Sequence, residues 1–263
     1  MPVLARGCFK IHTNYSIHSL NQGGKPVPAS AKRSPEPLLA SVLDTIGEEI
    51  VSGVQAEGDT FTLHDLSKRF DISRTVAREA MRALEQLGLV SSSRRVGLKV
   101  LPQSEWNVFD NAVISWRLRS EEQRAAQIES LRELRDAIEP SAARLAAMHA
   151  SPAEARELTA LAQRLVELTD QASGNSEEFL EADARFHSLL LLASRNEMFI
   201  QLTHPIIGVL IGRSEYGIMP DDPEREIMQI HVELAEAVAN GEPDHAEDAS
   251  RRLLRGVNEF MEI

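Results

Sequence analysis

Apolar residues recur at three- and four-residue intervals soon after the start of the chain. Over residues 38–52 this spacing predicts an amphipathic helix, which Gly53 would end. Thr62 and Ser73 stand where N-cap residues are expected, each ahead of a further short apolar repeat. We therefore predict three helices, over residues 38–52, 63–70 and 74–87, with a tight turn between the second and the third.

Two short segments with strand character follow this helical region. Residues 89–93 and 97–101 flank Arg94 and Arg95, and Pro102 ends the second segment. The two strands predict a hairpin of the kind called a wing. Together with two short helices joined by a tight turn, the wing predicts a winged helix-turn-helix over residues 38–102.

The rest of the chain is predicted to be helical. A connector over residues 103–120 contains Trp106 and Trp116, and no strand pattern interrupts the repeats that follow it. We therefore expect a mainly α protein, in which an N-terminal winged helix-turn-helix precedes an all-α antiparallel bundle over residues 121–263. Residues 1–37 show no sustained period and are expected to form a disordered extension; the alternative is a basic arm that contacts DNA phosphates. The helical segments predicted for the bundle are 121–149, 152–173, 176–194, 197–216, 223–240 and 243–262.

The net charge of −12 is unevenly distributed along the chain. Residues 103–263 contain 30 Asp and Glu against 15 Lys and Arg, whereas residues 68–99 contain three Asp and Glu against eight Lys and Arg. A basic patch beside an acidic domain is typical of a DNA-binding protein with a separate sensor domain. The single cysteine, Cys8, excludes an intrachain disulfide, and no apolar segment is long enough to span a membrane, so we expect a cytoplasmic protein.

The second helix of a helix-turn-helix enters the major groove of DNA with its first residues facing the bases. In this chain those residues are Ser73, Arg74, Thr75 and Arg78, and the two arginines lie one turn apart on one face. Arginine can bind guanine or phosphate, and the hydroxyls can bind phosphate. The alternative is a solvated helix surface on which the arginines pair with neighbouring carboxylates. The helix-turn-helix pattern and the basic surplus favour the DNA-binding interpretation.

A family resemblance supports this interpretation. The sequence ISRTVAREAMRALEQLGLV over residues 72–90, followed by VGLKV over 96–100, resembles the winged helix of GntR-type transcription regulators. The resemblance implies that the recognition helix and the wing contact DNA, with Gly97 letting the wing backbone approach the minor groove. Two features depart from the family: His64 replaces a charged residue on the first helix, and Glu57-Gly58 replaces Pro-Gly. The predicted DNA-binding residues are His64, Ser73, Arg74, Thr75, Arg78, Arg94, Arg95, Gly97 and Lys99.

Three residues of the predicted bundle have the chemistry of metal ligands. Asp183 and His187 lie four residues apart, so their side chains share one helix face. His231 lies on a later helix, within its apolar stripe. One carboxylate and two imidazoles could hold a divalent, zinc-like ion. From spacing alone, the simpler interpretation is a surface pair of Asp183 with His187 and a hydrogen-bonded His231 in the core.

A second family resemblance favours the metal-site interpretation of these three residues. The sequence RDAIEP over residues 135–140, the spacing of Asp183 and His187, ASRN over 193–196, and His231 resemble the FCD domain of the FadR-like branch of these regulators. In that family an aspartate and three histidines hold a metal ion that helps to bind a carboxylate effector. The resemblance implies that Asp183, His187 and His231 are metal ligands, but Leu253 stands where the third histidine is expected.

The resemblance also implies an effector pocket. Arg135 lies on the helix face that FCD domains turn towards their pocket, where a guanidinium can bind a carboxylate through two hydrogen bonds; the alternative is a surface salt bridge with Glu139 or Glu129. The connector from Trp106 to Trp116 resembles that of sugar-acid (galactonate-type) repressors. Trp116 would either contact the effector or fix the two domains together. The predicted effector-binding residues are Arg135, Asp183, His187, His231 and Trp116.

These features predict a repressor rather than an enzyme, and the resemblance to GntR-type regulators implies that it is a homodimer. It would bind a palindromic operator in double-stranded DNA and leave it when a small carboxylate, such as the sugar acids called aldonates, binds to residues 121–263. One alternative is a metal-dependent hydrolytic enzyme that uses Asp183, His187 and His231, although that would leave the winged helix unexplained. The other is a regulator that responds to a fatty, amino or hydroxy acid.

Overall fold

The computed structural model describes residues 35–93, 97–174, 176–208 and 224–259. The predicted extension over residues 1–37 lies outside these ranges except for its last three residues. Arg94 and Arg95 of the predicted wing also lie outside them, as does the end of the helix predicted over residues 197–216.

The N-terminal part contains three helices, and capping residues fix where the second and third begin. Thr62 and Asp65 form a capping box at the start of the second helix, and the side chain of Ser73 accepts a hydrogen bond from the backbone N–H of Val76 at the start of the third. Asp71 adopts a left-handed conformation, with φ of 50°, in the turn between these two helices. The helices are α1 (Pro35–Val51), α2 (Leu63–Phe70) and α3 (Arg74–Gln86).

A small antiparallel sheet completes this unit. Its strands are β1 (Thr60–Phe61), β2 (Val90–Ser93) and β3 (Gly97–Val100), in the order β1-β3-β2, with Val90 opposite Val100 and Phe61 opposite Leu98. The apolar pattern did not predict β1, because two residues are too short to show an alternation. Gly97 has a φ of +92°, and a Cβ there would lie 2.7 Å from the carbonyl oxygen of Phe61. The pairing of β1 with β3 therefore requires a glycine at this position.

The predicted connector forms a further helix, α4 (Asn111–Arg119), which begins at the N-cap Asp110. Val113 and Trp116 of α4 are fully buried in the core of the helix-turn-helix unit. The indole Nε1 of Trp116 donates a hydrogen bond to Asp44 Oδ1 of α1 at 3.0 Å. A Cβ on Gly47 would lie only 2.5–2.6 Å from the indole ring, so Gly47 allows α1 and α4 to approach closely.

The remaining described helices form an all-α bundle with one main apolar core. Its largest buried side chains include Phe179, Phe186 and Leu190, and α5 packs against α7, α10 and α11. Among the described residues, no helix is both long and apolar enough to cross a membrane. The helices are α5 (Glu121–His149), α6 (Pro152–Asp170), α7 (Glu177–Ala193), α8 (Glu197–Gln201), α9 (residues 203–208), α10 (Arg225–Asn240) and α11 (Pro243–Glu259).

The contact between Gly47 and Trp116 predicts a specific stability defect. We expect Gly47→Ala to lower the free energy of unfolding by about 1–3 kcal/mol, because the added methyl group overlaps the indole ring. Urea unfolding followed by circular dichroism measures this change.

The control is the same substitution made in a protein that already carries Trp116→Leu. In that background Gly47→Ala should cost less or even stabilise the protein, since alanine favours a helix over glycine by about 1 kcal/mol. An equal loss in both backgrounds would show that the indole contact is not the cause.

Candidate functional site

The first turns of α3 carry polar side chains that face solvent. Ser73, Arg74, Thr75 and Arg78 are exposed, and neither arginine forms an ion pair with any residue in the described ranges. By contrast, Arg82 on the same helix pairs with Glu79 at 2.9 Å. Arg74 and Arg78 therefore do not pair with neighbouring carboxylates among the described residues, contrary to the alternative considered from the sequence. Both guanidinium groups are available to a ligand.

The other residues predicted to contact DNA are spread over α2 and the sheet. His64 on α2 and Lys99 on β3 are exposed, whereas Gly97 is partly covered by the strand beside it. Arg94 and Arg95 lie outside the described residues. The structure thus gives Gly97 a role in packing the sheet, which is sufficient by itself to require a glycine.

Three helices bring a cluster of charged and polar side chains into the centre of the bundle. Asp183 and His187 lie on α7 and His231 lies on α10, and all three are buried. Asp183 Oδ1 lies 3.4 Å from Nε2 of each histidine. Their ligand atoms lie within 4.8 Å of one another, so the arrangement is neither an exposed pair nor three separate residues.

Two residues of α5 complete this cluster. Arg135 and Glu139 are buried and form an ion pair across one turn of the helix. Glu139 Oε2 accepts a hydrogen bond from His187 Nδ1 at 2.7 Å, and Arg135 Nη2 lies 3.2 Å from His187 Nε2. The salt bridge of Arg135 with Glu139 considered from the sequence does exist, but it is buried against His187 rather than exposed on the surface.

The charges of the cluster balance one another. Burial by itself would raise the pKa values of Glu139 and Asp183, but neighbouring positive groups hold both carboxyls well below their usual pKa range. Burial would lower the pKa of His187, yet the charges of Glu139 and Asp183 outweigh it and raise this pKa to about 9. For His231 burial dominates and lowers the pKa, so this imidazole is neutral.

His231 is the incompletely bonded member of the cluster. By strict geometry neither of its ring nitrogens has a hydrogen-bond partner among the described residues, although Nε2 lies 3.4 Å from Asp183 and the ring also interacts with the backbone of Ile227. A buried imidazole with only such weak contacts is costly, which makes the ring a suitable donor to a ligand. In His187, Nδ1 contacts Glu139, so the Nε2 of this ring is the nitrogen directed towards Asp183. A metal-ligating histidine usually has a carboxylate on its other nitrogen, as Glu139 is here.

The residues present therefore fit a divalent cation with three protein ligands, Asp183, His187 and His231. Leu253, at the position of the expected third histidine, is buried in the apolar core. No fourth His, Cys, Asp or Glu joins the group among the residues that the structure describes.

Trp116 lies away from this cluster. It packs against α1, as described above, and its ring belongs to the apolar core of the helix-turn-helix unit. Of the two roles considered for Trp116, the geometry favours fixing the domains together over contacting an effector. Conversely, sequence reasoning missed Glu139 as a site residue; its four-residue spacing from Arg135 and the unbroken helical pattern between them were the available indications.

Comparison with known proteins identifies the two parts of the chain. Residues 38–100 match the family described as "Bacterial regulatory proteins, gntR family", and residues 130–256 match the FCD domain. The galactonate operon transcriptional repressor of Escherichia coli K12 is 29% identical over 81% of this chain and 92% of its own length. The transcriptional repressor NanR of Salmonella newport is 25% identical over 74% of this chain and 73% of its own length.

One solved structure supports the fold. The structure of Lar, which is described as controlling the Listeria monocytogenes agr system, covers 86% of this chain and 96% of its own length, with a TM-score of 0.56 and 17% identity. The named relatives are regulators, so the metalloenzyme alternative has no support among them. The chain is therefore a transcription regulator of the GntR family, in which a helix-turn-helix domain that binds operator DNA precedes an effector-binding FCD domain.

Proposed function

We propose that this protein is a homodimeric repressor that leaves its operator when a sugar acid and a divalent cation occupy the cluster around Arg135 and His231. The observation that carries the proposal is the buried group formed by Arg135, Asp183, His187 and His231 in the FCD domain. Similarity to a galactonate operon repressor supports a sugar acid as the effector. Residues 121–263 would contain both the effector site and the dimer interface.

The DNA-binding half of the proposal depends on the free arginines of α3. Arg74 and Arg78 are exposed and unpaired, and their spacing allows both to reach into one major groove. Ser73, Thr75, His64 and Lys99 lie where they could contact phosphate groups. In a homodimer with two-fold symmetry, two copies of α3 would bind the two halves of a palindromic operator.

The effector half depends on the chemistry of an aldonate, which carries one carboxylate and several hydroxyl groups. The planar guanidinium of Arg135 suits the carboxylate, and the imidazole of His231 suits a hydroxyl or carboxylate oxygen. Because Arg135 already contacts Glu139 and His187, an entering carboxylate would exchange some of these contacts rather than fill an inert cavity. This exchange would link effector binding to the position of α5.

A divalent cation would be held by Asp183, His187 and His231. When bound, it would supply positive charge and an open coordination position for an oxygen of the effector. Glu139 would orient His187 through its Nδ1, and Arg135 would place the carboxylate opposite the cation.

A chain of packed helices joins the cluster to the DNA-binding surface. Arg135 and Glu139 lie on α5, and Ser120 both ends α4 and precedes α5. Trp116 of α4 packs on α1, and α1 packs on α3. A shift of α5 caused by the effector would therefore move the recognition helices of the dimer relative to each other and weaken operator binding.

Removal of the free arginines should weaken operator binding. We expect Arg74→Ala and Arg78→Ala each to reduce affinity by about 5- to 150-fold, as for loss of a specific base contact. Fluorescence anisotropy on DNA from the upstream region of the protein's own gene measures this. Arg82→Ala is the matched control, since Arg82 lies on the same helix but pairs with Glu79, and it should retain most of the affinity. Equal losses in all three variants would contradict the assignment.

Sugar acids should stabilise the protein through Arg135. At about one hundred times the dissociation constant, galactonate or gluconate should raise the Tm by about 5–10 °C. Arg135→Lys keeps the charge but loses the planar fork, so this shift should disappear. Arg185→Lys on α7, where Arg185 pairs with Glu157 at the surface, should keep it. A shift with octanoate, lactate or an amino acid that Arg135→Lys abolishes, with no shift from either aldonate, would overturn the choice of effector.

Metal binding should depend on His231. Protein stripped with a chelator should bind Zn²⁺ tightly in calorimetric titrations, and His231→Ala should lose this binding because a buried ligand is removed. The control is His245→Ala, because His245 is exposed on α11 and lies outside the cluster. Zn²⁺ binding that survives in His231→Ala would rule out the proposed ligand set.

A further inference from the structure

A buried arginine lies on α4, between the DNA-binding unit and the bundle, and no described residue acts as its counter-ion. Arg117 is 5% exposed, and its Nε is sealed from solvent with no hydrogen-bond partner among the described residues. No carboxylate in the described ranges forms an ion pair with it. Burial lowers the pKa of Arg117, and no charge in the described part of the chain offsets this effect. A guanidinium remains charged under these conditions, so its burial is costly unless an anion accompanies it.

Neighbouring arginines are paired, which makes Arg117 unusual. Arg119, two residues further along α4, contacts Glu48 at 2.6 Å and Asp44 at 3.6 Å. Arg135, which is buried to the same degree, has Glu139 as its partner. The chain thus supplies carboxylates to Arg119 and Arg135, but none in the described part of the chain reaches Arg117 itself.

A second unpartnered polar group lies on the facing helix. Gln127 of α5 is 2% exposed, and its Oε1 has no hydrogen-bond partner in the described part of the chain. Gln127 lies one turn before Leu131, which packs with Ile114 and Leu118 of α4. Arg117 lies three residues after Ile114, so it is a neighbour of Ile114 on the surface of α4, as Gln127 is of Leu131 on α5; each polar group therefore lies beside the small apolar contact between the two helices.

The two groups together define the ligand they would accept. A guanidinium requires an oxyanion, and an amide oxygen requires a hydrogen-bond donor. We propose that Arg117 and Gln127, which are almost fully buried, bind a small oxyanion that also carries a hydroxyl group, such as hydrogen phosphate or a three-carbon 2-hydroxycarboxylate but not a six-carbon aldonate, where α4 packs against α5.

This site is distinct from the effector cluster. Gln127 precedes Arg135 by eight residues on α5, which is about 12 Å along the helix axis, and the buried side chain of Leu131 lies between them. An anion bound to Arg117 would neutralise the charge next to Trp116, the residue that joins α4 to α1. The site would therefore stabilise the packing that connects the two domains, whether or not a sugar acid binds at Arg135.

Thermal unfolding of the full chain tests the proposal, with phosphate and lactate as separate probes and chloride salt holding the ionic strength constant. The wild-type Tm should rise saturably with one or both probes, by about 5–10 °C at one hundred times the dissociation constant. Arg117→Met should have a higher Tm than wild type without the probes, because an uncompensated buried charge is removed, and should not respond to them. Gln127→Leu should respond more weakly than wild type.

Two control variants locate the effect. Arg119→Met removes a paired arginine of the same helix and should keep the response to the probes. Arg135→Lys should also keep it, although it loses the response to aldonates, so failure of the effector proposal is distinguishable from failure of this one.

Three outcomes would overturn the proposal. The first is a wild-type Tm that does not respond to either probe, and the second is an equal response in Arg117→Met, which would place the anion elsewhere. The third is a difference between wild type and Arg117→Met that changes with protein concentration, which would show that a carboxylate of a second copy neutralises Arg117.

Discussion

The ion pair between Arg135 and Glu139 makes a charged centre possible inside an apolar bundle. A single charge among the leucines and phenylalanines of the core would lose its hydration without compensation. With Arg135 and Glu139 in contact, His187 can carry a proton between Glu139 and Asp183, and the four charges balance. Removing any one of these side chains would leave an uncompensated charge in the core. The cluster is therefore stable only as a complete set, and an entering anion has to exchange contacts with it.

In the proposed function, the helix α4 would give that exchange a route to the DNA-binding surface. One face of α4 buries Val113 and Trp116 in the core of the helix-turn-helix unit, and another buries Ile114 and Leu118 against α5. The close approach at Gly47 leaves little room for α4 to move without α1. A helix packed on both sides in this way transmits displacement because neither interface can slide without losing contacts. On the same helix, Arg117 has no carboxylate partner among the described residues, and it adds a second position at which a ligand could change this packing.

Much of the fold could be predicted from short-range patterns. Thr62 and Ser73 are the N-caps that their residue types and the following repeats indicated, and α5 spans the residues that its period predicted. Asp183 and His187 were recognised as a pair because four-residue spacing on a helix determines that they share a face. The pattern did not reveal β1, which is two residues long, or α4, whose apolar residues face two different partners and so show no single stripe. From the sequence, Glu139 was considered only as a possible surface salt-bridge partner of Arg135.

The sequence by itself determined the order and type of most elements, the location of the basic helix, and the chemical character of the cluster. These properties depend on neighbours within about one helical turn, where backbone geometry leaves few alternatives. Only the tertiary structure decided which side chains are buried together. Trp116 meets Asp44 across 72 positions of sequence, and Arg135 meets His187 across 52. No local pattern encodes such contacts. The burial that changes a surface salt bridge into a charged core, or leaves Arg117 without a partner among the described residues, depends on how distant helices pack.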